Sequence, residues 1–358
     1  MSALVRLREV DVRCGAKAAT LGRLARSGIR VPDGVVVPDA AAAAWRAELP
    51  AALSLLGGTR FAVRSSADAE DGADASFAGQ FDTRLDVPGE EVAEAVREVA
   101  AHRARAAAYA DAVGRPPARE VAVLVQPMLR ARAAGVAFTR HPVTGTRAAV
   151  VEAVRGLGEP LVAGRVSPER WQRGSAGRPV VAGAASVLTE AQARSVVEVA
   201  ERVEALLGGA QDVEWVLDDD GVVWVLQARP VTGGAPAVAG PTVAWTGGGT
   251  GRTVVGTAAG PGTAQGRLRV VAGLDDFPRF RAGDVLVCRS TSPAWVPVLS
   301  RAAAVVTEVG GILAHAAIVA RELGIPAVTD VPAATRLPDG APVQVDGTAG
   351  TITLLEES

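Results

Sequence analysis

The sequence is poor in several features, and each shortage excludes a class of protein. Only two cysteines, Cys14 and Cys288, occur among 358 residues, and their wide separation predicts neither a disulfide framework nor a zinc site. No run of ~18 apolar residues is present and no charged-then-apolar signal peptide is found, so we expect a cytoplasmic protein without a membrane partner. A net charge of −2 gives no electrostatic reason to expect a nucleic acid partner.

Lysine is almost absent as well. Lysine and arginine together number 37, yet Lys17 is the single lysine. Arginine presents a wide planar fork, whereas lysine is a compact point charge on a thin stem, so a narrow phosphate site can require lysine. Lys17 is therefore a candidate phosphate ligand, and the alternative is a lysine retained by chance.

A segment rich in glycine and proline divides the chain. Residues 232–250 are uncharged and lack apolar periodicity, which predicts a flexible linker. We therefore expect a larger domain over residues 1–231 and a smaller one over residues 251–358.

Both predicted domains mix helices and strands, so the expected fold class is α/β or α+β. In the first domain the pattern predicts helices at residues 90–112 and 189–207 and strands at residues 121–125 and 148–154. In the second domain short apolar runs predict strands at residues 266–271, 284–288 and 303–306.

One of the three histidines stands at a predicted helix start. Gly310 and Gly311 precede it and allow unusual backbone angles, and Gly324 with Pro326 ends the Ala-rich helix that follows. Free N–H groups and the helix dipole at this position would neutralise a phosphoryl group carried on His315, and the same field favours the neutral, nucleophilic imidazole. The alternative is a histidine that lies at a helix start by coincidence.

A loop of small and polar residues follows a short apolar strand within residues 59–83. Arg64 offers a fork for phosphate, and the backbone around Gly79 is open enough for N–H groups to face phosphate oxygens. The alternative is a solvated surface loop.

Two apolar-rich segments flank the Asp-Gly pair at 220–221, a strong signal for a β-hairpin. With these two residues as the loop, Glu214 lies opposite Gln227 and Asp212 opposite Arg229, all on one face. The other face then carries an apolar surface made of Val213, Trp215, Leu217, Trp224 and Leu226. Two carboxylates and an amide oxygen suit Mg²⁺, with Arg229 beside them to balance phosphate charge. The alternative is a structural salt bridge between Asp212 and Arg229.

The carboxy-terminal segment resembles a known family. Residues 310–326, with residues 289–297 and 345–347, are similar to the phosphohistidine signature of the phosphoenolpyruvate-utilising mobile domain. That domain is found in phosphoenolpyruvate synthase, pyruvate phosphate dikinase and rifampin phosphotransferase. Ala314 stands where the family usually has Ser or Thr.

The amino-terminal part resembles the ATP-grasp nucleotide-binding domain of the same enzymes. Residues 14–22 match its opening motif, residues 62–80 its phosphate-binding loop, and residues 121–128 the strand and hinge that line adenine. Residues 134–145 and 151–159 also match, without individual roles. The resemblance implies nucleotide binding by Lys17, Arg64, Gly79, Gln126, Glu214, Gln227 and Arg229. Asp212 is a further nucleotide-binding candidate, because it shares their face of the predicted hairpin. Within the hairpin the family has a metal-binding Glu and Gln and a phosphate-binding Arg, which implies that Glu214 and Gln227 hold Mg²⁺.

The resemblance implies an ATP-grasp domain followed by a swivelling β/β/α phosphohistidine domain. ATP and Mg²⁺ would then charge His315 with the β-phosphoryl group and release AMP and phosphate. The second domain would swing to deliver the phosphoryl group to an acceptor. The expected activity is that of a dikinase-type phosphotransferase.

The acceptor is less well defined. The chain is expected to lack the acceptor domain of the family, because it ends soon after His315 and the linker is short. We therefore expect a small-molecule acceptor, such as a secondary metabolite or an antibiotic, or an acceptor held by a separate acceptor-domain protein. The alternatives are the nucleotide and phosphohistidine half of a split phosphoenolpyruvate synthase, and a phosphocarrier module that acts on a partner protein.

Overall fold

The computed structural model of the chain describes residues 3–11, 14–67, 83–101, 121–162, 165–173, 179–182, 186–231, 253–312 and 314–356. The predicted linker at 232–250 and the predicted helix residues 102–112 lie outside these ranges. The helices are α1 (Ala16–Arg26), α2 (Trp45–Leu56), α3 (Val92–Ala101), α4 (Glu159–Val162), α5 (Glu190–Leu207), α6 (Val296–Leu299) and α7 (His315–Leu323). None of these described helices combines the length and the apolar character needed to cross a membrane.

The strands confirm the predicted mixture of α and β structure. In chain order they are β1 (Val5–Arg6), β2 (Val35–Val37), β3 (Arg60–Ala67), β4 (Thr83–Pro88), β5 (Val121–Pro127), β6 (Ala131–Phe138), β7 (Val150–Arg155), β8 (Glu169–Arg173), β9 (Pro179–Ala182), β10 (Gln211–Asp218), β11 (Val223–Pro230), β12 (Thr253–Val255), β13 (Thr257–Gly260), β14 (Thr263–Val270), β15 (Val285–Cys288), β16 (Ala304–Thr307), β17 (Ala327–Thr329), β18 (Pro342–Asp346) and β19 (Thr351–Leu354). Every run that the sequence predicted as a strand forms one, namely β5, β7, β14, β15 and β16.

The chain forms two compact units. The first comprises residues 1–139, 155–157 and 187–230, and the second comprises residues 140–154, 158–186 and 231–358. The second unit therefore joins a segment that precedes the predicted linker to the residues that follow it. The predicted domain boundaries at 231 and 251 stay predictions.

An antiparallel sheet with the strand order β1-β2-β5-β3-β4 lies in the first unit. One of its faces is apolar and packs with α2 and α3 in a cluster that includes Val35, Val37, Trp45, Leu49, Phe61, Val63, Val92, Val96, Val123 and Val125. Side chains alternate along a strand, so Arg64 and Ser66 of β3 lie on the opposite face. Strands β6, β10 and β11 form a second antiparallel arrangement in this unit.

The carboxy-terminal part of the second unit is built on the parallel strands β14, β15, β16 and β17. Antiparallel strands extend both edges, which gives the order β12-β19-β18-β14-β15-β16-β17-β13. Helix α7 packs against β13, β16 and β17. Cys288 is fully buried in β15, and burial raises the pKa of its thiol to about 12.

Candidate functional site

The predicted hairpin forms from β10 and β11. Glu214 pairs with Gln227 and Asp212 with Arg229, as predicted. The predicted two-residue turn is wrong. The Asp218 N–H donates to the carbonyl of residue 222 at 3.1 Å, and this hydrogen bond closes a loop of three residues, 219–221. A β-bulge between Glu214 and Trp215 absorbs the extra residue, so the predicted register holds where the site residues lie.

The bulge also changes the apolar face of the hairpin. Val223 and Val225 are buried, whereas Trp224 and Leu226 are only half-buried. The prediction that Trp224 and Leu226 join the apolar face is therefore wrong. The cause is that one extra residue in a strand shifts its side-chain alternation to the other face.

Arg64 connects the sheet to the hairpin. Its side chain is buried, and its Nη2 donates to Glu214 Oε2 at 3.3 Å and to Gln227 Oε1 at 3.1 Å. Its Nη1 donates to the carbonyl of Leu226. The two predicted metal ligands thus point toward one cationic nitrogen.

The donor set of this cluster fits a hard divalent cation. Glu214 Oε2 and Gln227 Oε1 lie within 3.3 Å of the same nitrogen, so they are close enough to share one ion. Carboxylate and amide oxygens are the ligands that Mg²⁺ accepts in proteins, and Mg²⁺ commonly keeps one or two protein ligands beside water and phosphate oxygens. Among the described residues no group of three or more His, Cys, Asp or Glu side chains is arranged to hold a metal. Glu214 and Gln227 would therefore be a two-ligand site of that kind, and Arg64 would have to release their oxygens.

Asp212 and Arg229 form the salt bridge that the sequence left open as an alternative. Nε and Nη2 of Arg229 each lie 2.9 Å from Asp212 Oδ2. Both side chains are largely buried, and the approach of two guanidinium nitrogens to the one oxygen fixes the orientation of the guanidinium. Asp212 thus orients Arg229 on the face that carries Glu214. A direct contact of either residue with nucleotide stays a prediction.

Lys17 lies in the first turn of α1, directly beside the strand of Arg64. It is buried, and its Nζ donates to the carbonyl oxygen of Ser65 at 3.0 Å. Gly15 precedes the helix with φ 79°, and a side chain there would collide with the backbone of Ser66. Because Ser66 Oγ also accepts the N–H of residue 18 at 3.0 Å, the start of α1 is locked to the end of β3.

The two remaining predicted nucleotide ligands are Gln126 and Gly79. Gln126 pairs with Ala62, which places it on the same sheet face as Arg64. Its Nε2 donates to the carbonyl of Pro32 at 2.7 Å, and the side chain is buried. Its nucleotide role stays a prediction, and Gly79 lies outside the described residues.

His315 begins α7, which confirms the predicted helix start. The residue is 5% exposed. Its Nδ1 lies 2.8 Å from Thr291 Oγ1, and its Nε2 is buried without a hydrogen-bond partner among the described residues. The helix ends at Gly324 in the left-handed conformation, as predicted.

Burial lowers the pKa of His315 to about 4, so the imidazole is neutral at neutral pH. The sequence predicted the neutral form from the helix field, whereas the cause in the structure is desolvation. In the tautomer in which Nδ1–H donates to Thr291, Nε2 carries the lone pair and is the nucleophilic atom. Thr291 lies 24 residues upstream, within the 289–297 segment that resembles the mobile domain. The sequence alone indicated no role for it.

The loop ahead of His315 is held by side chains from several elements. Thr329 Oγ1 donates to the carbonyl of Gly311 at 3.3 Å, and Arg321 Nη1 donates to the carbonyl of Ile312 at 2.8 Å. The N–H of Ile312 donates to Glu152 Oε1 at 3.0 Å. Glu152 lies in the 151–159 segment that resembles the ATP-grasp domain, and the sequence alone indicated no role for it.

Two families of protein domains match the chain. The family described as pyruvate phosphate dikinase, AMP/ATP-binding domain, matches residues 46–185 and 175–241. The family described as PEP-utilising enzyme, mobile domain, matches residues 280–350. The second match contains His315, and the first contains Arg64 and the hairpin.

The chain is also similar to phosphoenolpyruvate synthases. It is 36% identical over 323 residues to the probable phosphoenolpyruvate synthase of Archaeoglobus fulgidus, a match that covers 81% of this chain and 43% of that protein. It is 36% identical over 359 residues to the phosphoenolpyruvate synthase of Aeropyrum pernix, covering 82% of this chain and 44% of that protein. For the phosphoenolpyruvate synthase of Pseudomonas aeruginosa the identity is 36% over 335 residues, covering 81% and 42%. The chain thus spans less than half the length of these relatives.

Proposed function

The chain belongs to the pyruvate phosphate dikinase family, with an AMP/ATP-binding domain followed by a PEP-utilising mobile domain, and from this premise we propose that it is a phosphotransferase that passes the β-phosphoryl group of ATP through His315 to an acceptor. The resemblance found in the sequence is thereby confirmed at the level of the family and the fold.

The state of His315 is the observation that carries the proposal. A buried, neutral imidazole with Nδ1 held by Thr291 and Nε2 unpartnered is ready to attack phosphorus. In the balanced reaction, Nε2 of His315 bonds to the β-phosphorus and the α–β bridge breaks to release AMP. Water then attacks the γ-phosphorus and the β–γ bridge breaks. The γ-phosphoryl group leaves as inorganic phosphate, and the β-phosphoryl group remains on His315.

The cluster around Arg64 would hold the nucleotide phosphates. Lys17 and Arg64 supply positive charge from neighbouring positions, and Asp212 holds the guanidinium of Arg229 in one orientation. Phosphoryl transfer depends mainly on such positioning and charge neutralisation. Glu214 and Gln227 would hold Mg²⁺, which when bound neutralises phosphate charge.

For the acceptor we favour a small molecule, such as a secondary metabolite or an antibiotic, that receives the phosphoryl group directly from His315. The names of the relatives support a second candidate. They are phosphoenolpyruvate synthases, of which this chain matches less than half. That candidate is a separate acceptor-domain protein, which would complete a split synthase or receive the phosphoryl group from a phosphocarrier.

The products of ATP turnover test the proposal. Full-length protein with ATP and Mg²⁺ should release one AMP and one phosphate per chain in a burst and then stop. Addition of a true acceptor should convert the burst into steady AMP release, and His315→Ala should show neither. ADP as the product, or a burst of equal size in His315→Ala, would contradict the proposal.

A further inference from the structure

Glu152 of β7 is a buried carboxylate that the proposed chemistry does not use. Its side chain is fully buried, and its Oε1 accepts from Arg170 Nη2 at 2.6 Å and from Arg170 Nε at 3.1 Å. The same oxygen accepts the N–H of Ile312 at 3.0 Å. Ile312 lies three positions before His315, so Glu152 contacts the backbone that leads directly into the phosphohistidine helix.

Gly311 is what allows the carboxylate to approach. A Cβ at Gly311 would lie 2.5 Å from each oxygen of Glu152, which is closer than real side chains tolerate. The preceding Gly310 has φ 123°, in the region that favours glycine. The double glycine therefore serves two purposes, since one residue supplies the unusual backbone angle and the other makes room for Glu152.

The second carboxylate oxygen of Glu152 also indicates a functional contact. Oε2 is buried and has no hydrogen-bond partner among the described residues. A buried carboxylate oxygen without a hydrogen bond is costly, so its presence needs an explanation beyond packing. Arg170, which also donates to Thr257 Oγ1 at 3.1 Å, supplies the compensating charge.

Within the second unit, this contact joins the chain segments that match the two domain families. Glu152 and Arg170 lie in the segment matched by the AMP/ATP-binding domain, whereas Gly311 and Ile312 lie in the segment matched by the mobile domain. Resting on the proposed function, we propose that Glu152, held by Arg170, is the positioning residue through which the nucleotide-binding part seats the 310–312 loop, and with it His315, for charging. A charge-assisted hydrogen bond to one N–H is specific and can be released when the mobile domain leaves.

Rapid-quench labelling of the full chain with β-labelled ATP tests this role. In Glu152→Ala the rate constant for labelling His315 at saturating ATP should fall at least tenfold, while the ATP concentration for half-maximal rate stays within twofold. Glu152→Gln should lose less, because its amide oxygen still accepts a hydrogen bond. Glu190→Gln is the matched control, since Glu190 pairs with Arg194 at 2.9 Å but both side chains are exposed. An unchanged rate constant, or a loss seen only as a higher half-saturating ATP concentration, would overturn the proposal.

Hydrogen exchange provides a readout that does not depend on activity. In the peptide covering residues 308–318, the Ile312 amide should exchange at least tenfold faster in Glu152→Ala than in the wild type, with the rest of the chain unchanged. Slow labelling combined with unchanged exchange would also overturn the role. If the wild type itself is not labelled, the proposed function fails, and hydrogen exchange still decides whether Glu152 seats the loop.

Discussion

His315 combines burial with a hydrogen bond on one nitrogen, and the two have different consequences. Burial keeps the imidazole neutral down to a pKa of about 4, which preserves its nucleophilic form. The hydrogen bond to Thr291 holds Nδ1 and leaves Nε2, the proposed nucleophile, without a partner among the described residues. Ala314 lacks the hydroxyl that the family usually has before the histidine, but the imidazole still has a hydroxyl contact, from Thr291.

The lowered pKa of His315 predicts a specific dependence of stability on pH. The ordinary pKa of histidine is about 6.5, so between pH 6.5 and 4 the unfolded chain binds a proton that the folded chain excludes. The free energy of unfolding should therefore fall as the pH decreases through this range, by about 2 kcal/mol at pH 5. Urea unfolding of the wild type and of His315→Gln at pH 7 and pH 5 measures the difference. An equal loss in both proteins would show that His315 is not the group responsible.

At the level of elements, the β10–β11 hairpin brings the predicted metal ligands to Arg64. Glu214→Ala and Gln227→Ala should each lower Mg²⁺-dependent AMP formation at least tenfold, because each removes one of two oxygens that converge on one point. The fold should remain, since the apolar face of the hairpin is untouched. Asp219→Ala, in the exposed turn, is the control and should keep full turnover. Normal turnover in both site variants would refute the metal site.

The same hairpin shows what the sequence can and cannot predict. Alternation and the Asp-Gly pair predicted the pairing of Glu214 with Gln227 correctly. The turn length was missed because Asp218 Oδ1 accepts the N–H groups of Asp220 and Val222, at 3.0 and 2.8 Å, and selects a three-residue loop. The compensating bulge between Glu214 and Trp215 accompanies this extra loop residue, so it was missed together with the turn length.

Contacts between distant segments were the least predictable. Helix α7 and its ends followed from local signals, namely the glycines, the Ala-rich run and Pro326. Thr291 and Glu152 reach His315 and its loop from separate strands or loops, so no spacing in the sequence links them. Arg64 was predicted as a phosphate ligand, but its contact with Glu214 spans 150 residues and became visible only in the fold.

At the scale of the whole molecule, the proposed chemistry requires movement. A single histidine cannot lie at the ATP phosphates and also at a separate acceptor, and the linker predicted from the sequence at 232–250 would allow rigid-body rotation. Fluorescence energy transfer between a label on the nucleotide-binding domain and one on the mobile domain should therefore show at least two distances, with populations that change on nucleotide binding. Shortening residues 232–246 should block transfer to the acceptor. One fixed distance in every ligand state, with full turnover, would exclude the swivelling mechanism.

The most direct measurement follows the label from ATP to His315. The full-length protein should acquire an acid-labile label from ATP labelled in the β-phosphoryl group and none from ATP labelled in the γ-phosphoryl group, because the γ-phosphoryl group leaves as free phosphate. The label should map to the peptide that contains His315 and should be lost in His315→Ala. Labelling from the γ-position, or a label that survives in His315→Ala, would contradict phosphoryl transfer through this histidine.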